Sequence, residues 1–250
     1  MNSHNSYQHD KNAEIAYLEK LIVTFGTNSG LQNEEAIRNI HTRFRELEKK
    51  RSNVLRTVTQ SEDGYYQLCL KVHDFLYHGI IGNAGQFRKI NDPDGGDVYF
   101  GGINPWTMKN KFIGTKPELI SLELYEAFSI LFDDRYNPTE KSIRFYSEFV
   151  AIHPFYDANG RIGRYIVDTY LQSHRYYVDW QSINKKHGKF LRKLNYCHSV
   201  RAKYKQCLNQ ADLEPIFDSK KAIYWKGIRE KYIGYLLNFW NQFVEFIPLE

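Results

Sequence analysis

Ile152-His153-Pro154-Phe155-Tyr156-Asp157-Ala158-Asn159-Gly160-Arg161-Ile162-Gly163-Arg164 gathers an imidazole, a carboxylate, an amide, a glycine and two guanidiniums into one short stretch. Apolar-patterned segments flank it, Phe145 to Ile152 before and Tyr165 to Leu171 after. Pro154 disfavours helical backbone at His153, so a first helix should end there. Asn159-Gly160 is a turn signal, and a second helix is expected to start beside it. A loop feeding a helix N-terminus offers free N–H groups and positive dipole, which together make an anion site. Arg161 and Arg164 lie three apart and share a face if both are helical. Two forked cations, a nest of amides, a carboxylate for a hard metal ion and a histidine that titrates near neutrality suit nucleotide phosphate chemistry. A helix–loop–helix with merely solvated charges would not need this ordered set.

The segment His153-Pro154-Phe155-x-Asp157-Ala158-Asn159-Gly160-Arg161-x-x-Arg164 resembles the signature of Fic-domain proteins, H-x-F-x-[DE]-[GA]-N-[GK]-R-x-x-R. Every defining position is met, with alanine at the small-residue position. Upstream, a helix leading into Ala84-Gly85-Gln86-Phe87-Arg88 is similar to the opening of the Fic core, A-G-x-[FY]-R. The resemblance covers roughly Tyr65 to Ala202 and leaves both ends of the chain unexplained.

A chain of 250 residues can be one domain or a core with an appendage. Hydrophobic content of 42% and aromatic content of 16% are ample for a buried core. A net charge of +5 suits an anionic ligand or partner, but by itself is no nucleic-acid footprint. Cys69, Cys197 and Cys207 are odd in number and lack metal-type spacing, so buried thiols in a reducing compartment are expected. No long apolar run would span a membrane, and Met1 to Asn12 does not read as a signal peptide. The expected compartment is the cytoplasm, with delivery as a secreted effector an open alternative.

The segments in chain order divide into an N-terminal tail and helical extension (1–60), a core (61–205) and a C-terminal helical extension (206–250). The first twelve residues read as a disordered tail. Ala13 to Phe25 has helical periodicity, broken by Gly26 to Gly30. A longer helix is expected from Asn33 to about Arg56, and its Arg43, Arg45, Lys49, Lys50 and Arg51 read as a solvated face. Tyr65 to Ile81 is helical, and the spacing of His73 and His78 favours packing over metal binding. Phe87 to Ile90 and Asp97 to Phe100 read as two short strands around Asp92 to Gly96. Helices are expected over Pro117 to Asp133, from Asn137 into the motif, over Tyr165 to Ser173 and over Lys189 to Asn209. A break at Asp212 to Pro215 separates these from a last helix over Lys220 to Phe246, whose aromatic stripe reads as core. The architecture is all-α, a Fic fold with one small β-hairpin as its only regular strand element.

The resemblance implies a protein adenylyltransferase, which moves AMP from ATP to a Tyr, Thr or Ser hydroxyl of a target protein. On that reading His153 is the general base and Asp157 holds Mg²⁺ against the α- and β-phosphates. Asn159 and the amides around Gly160 form the anion hole, and Arg161 and Arg164 fork onto the β- and γ-phosphates. Phe155 is the structural anchor of the loop. The hairpin, with Val98, Tyr99 and Phe100, would be the flap that docks the target's backbone by strand pairing. The branch of the family that phosphorylates its targets tends to carry lysine at the position of Gly160, so glycine favours AMP transfer. A phosphoryl or other nucleotidyl transferase, or an idle peptide-binding module, are the alternatives. Many Fic proteins are restrained by a glutamate in [ST]-x-x-x-E-[GN] that pairs with the second motif arginine, here Arg164. No glutamate in this chain is followed by Gly or Asn, and Asn241-x-x-x-Glu245-Phe246 is wrong at both ends. The chain is therefore unrestrained, held by a separate antitoxin-like inhibitory protein, or held by a non-standard element, and the first two are expected.

Overall fold

The computed structural model describes residues 18–25, 33–58, 60–103, 110–211 and 215–248. The expected disordered tail, the Gly26 to Gly30 break and most of the Asp212 to Pro215 break lie outside them. The helices are α1 (residues 18–25), α2 (Asn33–Lys49), α3 (Arg51–Thr57), α4 (Glu62–Tyr77), α5 (Ile120–Ser129), α6 (Pro138–Ile152), α7 (Asn159–Ser173), α8 (Trp180–Lys185), α9 (His187–Ala211) and α10 (Pro215–Trp240). Two short antiparallel pairs join β1 (Tyr99–Ile103) to β2 (Asn110–Ile113) and β3 (Tyr176–Val178) to β4 (Val244–Phe246). The all-α class stands. No helix among the described residues is long and apolar enough to cross a membrane.

The hub is α6, which packs against α5, α7, α9 and α10. Its start is set by local chemistry. Asn137 accepts a bond from the Glu140 amide at 3.0 Å, and Pro138 occupies the first turn, where its missing N–H costs nothing. Ile143, Phe145, Phe149 and Ile152 are fully buried. Ser142 and Glu148 of α6 are buried too, and both are answered from neighbouring helices. Ser142 accepts from the Trp240 indole at 3.2 Å, and Glu148 accepts from Arg201 at 2.7 Å and Arg229 at 2.8 Å. Burial alone would raise the Glu148 carboxyl, but the two guanidiniums outweigh it and hold the group down to about 2. The partner helix α7 comes close because Gly163 has no side chain. A Cβ there would sit 3.1 Å from Phe149 and 3.2 Å from Tyr146.

Several expectations need correction. The helix expected from Asn33 to about Arg56 is two helices, broken at Lys50, whose φ of −93° and ψ of 5° leave the helical region. Its basic run is not all solvent-facing either. Arg43 donates to the carbonyls of Leu76 at 3.1 Å and His78 at 2.8 Å, where α4 exposes free carbonyls, and Arg51 lies 3.3 Å from Asp168.

The hairpin is displaced along the chain. Phe87 to Ile90 does not pair with Asp97 to Phe100, because its backbone is claimed elsewhere: the Arg88 amide donates to Pro154 at 3.1 Å. Asp92 closes the turn on itself by accepting from the Lys89 amide at 2.7 Å, and Asp94, Gly95 and Gly96 follow in left-handed conformations. The strand beginning at Tyr99 pairs forward instead, Tyr99 with Ile113 and Phe100 with Phe112.

A second strand pair exists where none was expected. The last helix stops at Trp240 rather than Phe246, and Val244–Phe246 pairs with Tyr176–Val178. Glu245 therefore lies exposed on a strand, not on a helix. The aromatic stripe also divides. Phe239, Trp240 and Phe243 are core, whereas Tyr232 is only half-buried against it and Trp225 is half-buried outside it.

Candidate active site

The motif loop joins the end of α6 to the start of α7. His153 closes α6 in a left-handed conformation, φ 54° and ψ 58°, which a non-glycine residue adopts only when its surroundings insist. Pro154 removes the helical alternative. Arg88 supplies the insistence. Its guanidinium is 2% exposed and donates to His153 O and Thr115 O at 2.8 Å each, to Ile152 O at 3.3 Å, and to Gly96 O. Gly114 completes the fit, since a Cβ there would lie 2.8 Å from Arg88 and 3.2 Å from the His153 Cβ.

The His153 ring lies half-buried under the hairpin, with the Phe100 ring stacked on it at 4.4 Å and 13°. Its Nδ1 is 3.3 Å from the Val150 carbonyl, which suits an N–H there and leaves Nε2 with a free lone pair. Burial lowers its pKa to about 4, with Arg88 acting in the same direction and the Val150 carbonyl and Asp157 opposing. The ring is thus neutral at physiological pH. Behind Phe100 and Phe112 lies His198 of α9, buried and lowered to about 3 by burial.

The loop that follows is held from below. Phe155 is fully buried, stacked on His73 at 4.1 Å and packed on Phe87 at 5.0 Å. His73 accepts from the Gly85 amide at 2.9 Å, so its role is packing and support. Asn159 ties the turn at both ends of its amide. Its Oδ1 accepts from the Phe155 N–H at 3.0 Å, and its Nδ2 donates to the Phe155 carbonyl at 2.8 Å. Ala158 adopts a left-handed φ of 60°, which lets α7 start at Asn159.

Asp157 accepts from the Ala158 amide at 2.6 Å and from the Tyr77 hydroxyl, and lies 3.4 Å from Arg161. Gly160 is not required by the chain's own packing, since a Cβ would meet only the Tyr146 hydroxyl at 3.9 Å. Arg164 donates to Gly160 O at 3.3 Å, and its guanidinium lies 5.7 Å from the centre of the Trp180 ring. Trp180 is itself fixed by its indole N–H, which donates to Asp168 at 2.8 Å, and Asp168 faces Arg51.

Thus His153, Asp157, Asn159, Gly160, Arg161 and Arg164 line one loop and the first turns of one helix, with Phe100 above. Val98 is buried just before β1, while Tyr99 is 57% exposed. Both line a cleft of about 470 Å³ with Leu21 and Phe25 of α1 and Tyr156 of the motif. Sequence reasoning missed Tyr77, Trp180 and Gly114. Arg88 did carry a signal, as the last residue of Ala84-Gly85-Gln86-Phe87-Arg88. Tyr77 and Trp180 carried none, because only the fold brings them to the motif.

Residues 65–171 match the model of the Fic/DOC family. No curated protein matches the chain. Among solved structures it is similar to the N-terminal Fic domain of a VirB-translocated Bep effector protein from Bartonella quintana with bound ADP. That similarity has TM-score 0.52 and 15% identity over 90% of this chain and 95% of that one. It is also similar to a Fic domain containing signaling protein from Bacteroides thetaiotaomicron, with TM-score 0.48 and 18% identity over 95% and 87% of the two chains. A Fic family protein from Desulfovibrio desulfuricans gives TM-score 0.42 and 18% identity over 92% of this chain, which spans 62% of that protein. Residues 65–171, which carry the loop between α6 and α7 toward their C-terminal end, match the Fic/DOC family, and the resemblance to Fic-domain proteins read from the motif stands.

Proposed function

We propose that the protein transfers AMP from ATP to a Tyr, Thr or Ser hydroxyl of a target protein. The observation that carries this reading is a neutral imidazole placed at the mouth of a helix N-terminus that also bears two arginines. The free Nε2 of His153 takes the hydroxyl proton as the oxygen attacks the α-phosphorus, and the bond to the β-phosphate breaks to release pyrophosphate. The first turn of α7 offers its N–H groups and dipole to the phosphates, and Arg161 and Arg164 orient the β- and γ-phosphates. Asn159, committed at both ends to Phe155, serves by holding the loop in the shape that aims those amides. The ADP bound by the Bartonella domain fits a nucleotide at this loop.

Asp157 fits a magnesium ion: a single carboxylate at the phosphate site, with substrate phosphates completing the shell, is a common Mg²⁺ arrangement. When bound, the ion would neutralise charge building on the α- and β-phosphates. Tyr77 and the Ala158 amide hold that carboxylate in place. The hairpin, with Val98, Tyr99 and Phe100, would present an open strand edge to the target backbone. Phe100 must leave the His153 ring before a hydroxyl can reach it.

The test is incubation with ATP labelled on the α- or the γ-phosphate, Mg²⁺ and host lysate, followed by mass spectrometry of labelled bands. Label from the α-position on a protein hydroxyl supports AMP transfer. Label from the γ-position alone would show a phosphoryl transferase, and label from neither an idle module.

A further inference from the structure

The helices α9 and α10 lie wholly beyond the residues matched by the family model, and they carry the chain's basic character. Between residues 185 and 240 there are thirteen Lys and Arg against four Asp and Glu, a net +9 in a chain whose total is +5. Part of that charge is spent inward, where Arg201, Arg229 and Lys205 meet Glu148, Glu123 and Glu126. The rest is not.

One seam of the antiparallel pair alternates ammonium groups with aromatic rings. Tyr196 of α9 stacks on Tyr232 of α10 at 5.4 Å and 22°, and Tyr235 meets Tyr232 edge-on at 5.9 Å. Lys193 and Lys231 lie 5.8 Å and 5.9 Å from the centre of the Tyr235 ring. Further along, Lys203 lies 5.9 Å from the Trp225 ring. Tyr196 is 50% exposed and Tyr235 45%. From Lys193 to Lys203 the seam runs about 15 Å at 1.5 Å per helical residue.

We propose that this seam binds a single-stranded nucleic acid, its lysines on the phosphates and its tyrosines on base faces. The composition selects that occupant. Protein–protein interfaces are enriched in tyrosine but depleted in lysine, so alternating lysine and tyrosine is poor docking ground for a protein. A helix that lies on a membrane buries a continuous apolar face, whereas here ammonium groups sit against the Tyr235 and Trp225 rings. A duplex hides its base faces and would leave the exposed rings without a partner. A single strand offers both phosphates and open bases, and the seam is long enough for about four stacked steps of roughly 3.4 Å. The mild net charge of the whole chain conceals this, because the remainder is net acidic.

The test is fluorescence anisotropy of the full chain with a labelled mixed-sequence 12-mer, as a single strand and as a duplex. Saturable binding of the strand is expected, with preference over the duplex. Three lysine–phosphate contacts, at a slope of about −0.7 per phosphate, predict roughly twentyfold weaker binding at 200 mM than at 50 mM salt. Tyr196→Ala with Tyr235→Ala should cost about tenfold or more, and Tyr235→Phe, which keeps the ring, should bind like wild type. Lys193→Glu with Lys231→Glu should lose binding and flatten the salt slope. No saturable binding at 50 mM salt, equal affinity for the duplex, displacement by anionic phospholipid vesicles, or full binding by the ring-deleted variant would each overturn the proposal. Binding needs neither ATP nor His153, so the outcome is independent of the transferase reading.

Discussion

Acidification from pH 7 to pH 5 should destabilise the fold by about 4 kcal/mol, and three histidines explain why. Burial is the largest cause in each case and lowers His73 and His198 to about 3 and His153 to about 4. In the unfolded chain each titrates near its ordinary value of about 6.5. Below that value the unfolded state takes up protons that the folded state refuses. Stability is therefore full above pH 6.5 and is lost progressively as pH falls toward the folded values. At about 1.36 kcal/mol per unit, each histidine removes about 1.9 kcal/mol by pH 5, and the three together between five and six. Asp168 works in the opposite sense. Burial raises it to about 6 against opposing Arg51, so over the same interval the folded state gains a proton and recovers about 1 kcal/mol. The remainder, about 4 kcal/mol, is large beside a typical total of 5–15 kcal/mol. Urea unfolding at pH 7, 6 and 5 measures it, and a slope near 3 kcal/mol/M puts the midpoint down by more than 1 M. His198→Phe, placed among Phe100 and Phe112, should remove nearly half of that remainder, about 1.9 kcal/mol. A midpoint that stays level or rises between pH 7 and pH 5 would refute the assignment of these rings as desolvated and neutral.

His153→Ala should lower transfer at least a hundredfold while binding of a non-hydrolysable ATP analogue stays within about twofold by calorimetry. Asp157→Ala should abolish the Mg²⁺ dependence of analogue binding. Arg161→Ala should weaken that binding tenfold or more, and unaltered binding would misplace the phosphates. Tyr99→Pro removes a strand N–H and should cut modification of the target without touching ATP affinity. Trp180→Leu takes away the ring beside Arg164 and should weaken nucleotide binding severalfold. Trp180→Phe keeps a ring and should restore most of it.

The helices and the motif were legible because their signals are local. Asn137 and Pro138 mark a helix start in any context, and the order of side chains from His153 to Arg164 is itself the evidence. What escaped reading is set by partners distant in sequence. Residues 87–90 look like a strand, yet the Arg88 amide donates to Pro154, some 65 positions on, and the Lys89 amide to the Asp92 side chain. Val244–Phe246 continues an apolar run and only becomes a strand because Tyr176–Val178 waits beside it. The basic run of α2 and α3 gives no hint that Arg43 caps the end of α4 and Arg51 pairs with Asp168. Tyr232 and Trp225 share the periodicity of Phe239 and Trp240, and periodicity cannot say which side of a helix pair remains open. At the site, Tyr77 and Trp180 are ordinary aromatic residues until the packing of α4 and α8 on α7 sets them beside Asp157 and Arg164.

The guanidinium of Arg88 has a consequence for how the chain acquires its structure. Its four carbonyl partners belong to Gly96, Thr115, Ile152 and His153. During synthesis the last two emerge more than sixty residues after Arg88 itself. Until then the charge cannot enter the interior without partners, at a cost of several kcal/mol. The α4 region and the hairpin therefore have to remain open while the ribosome completes α6, and they close together once His153 has appeared. A nascent chain halted before that residue should be protease-sensitive along its whole length, and one extended past it should become resistant in a single step.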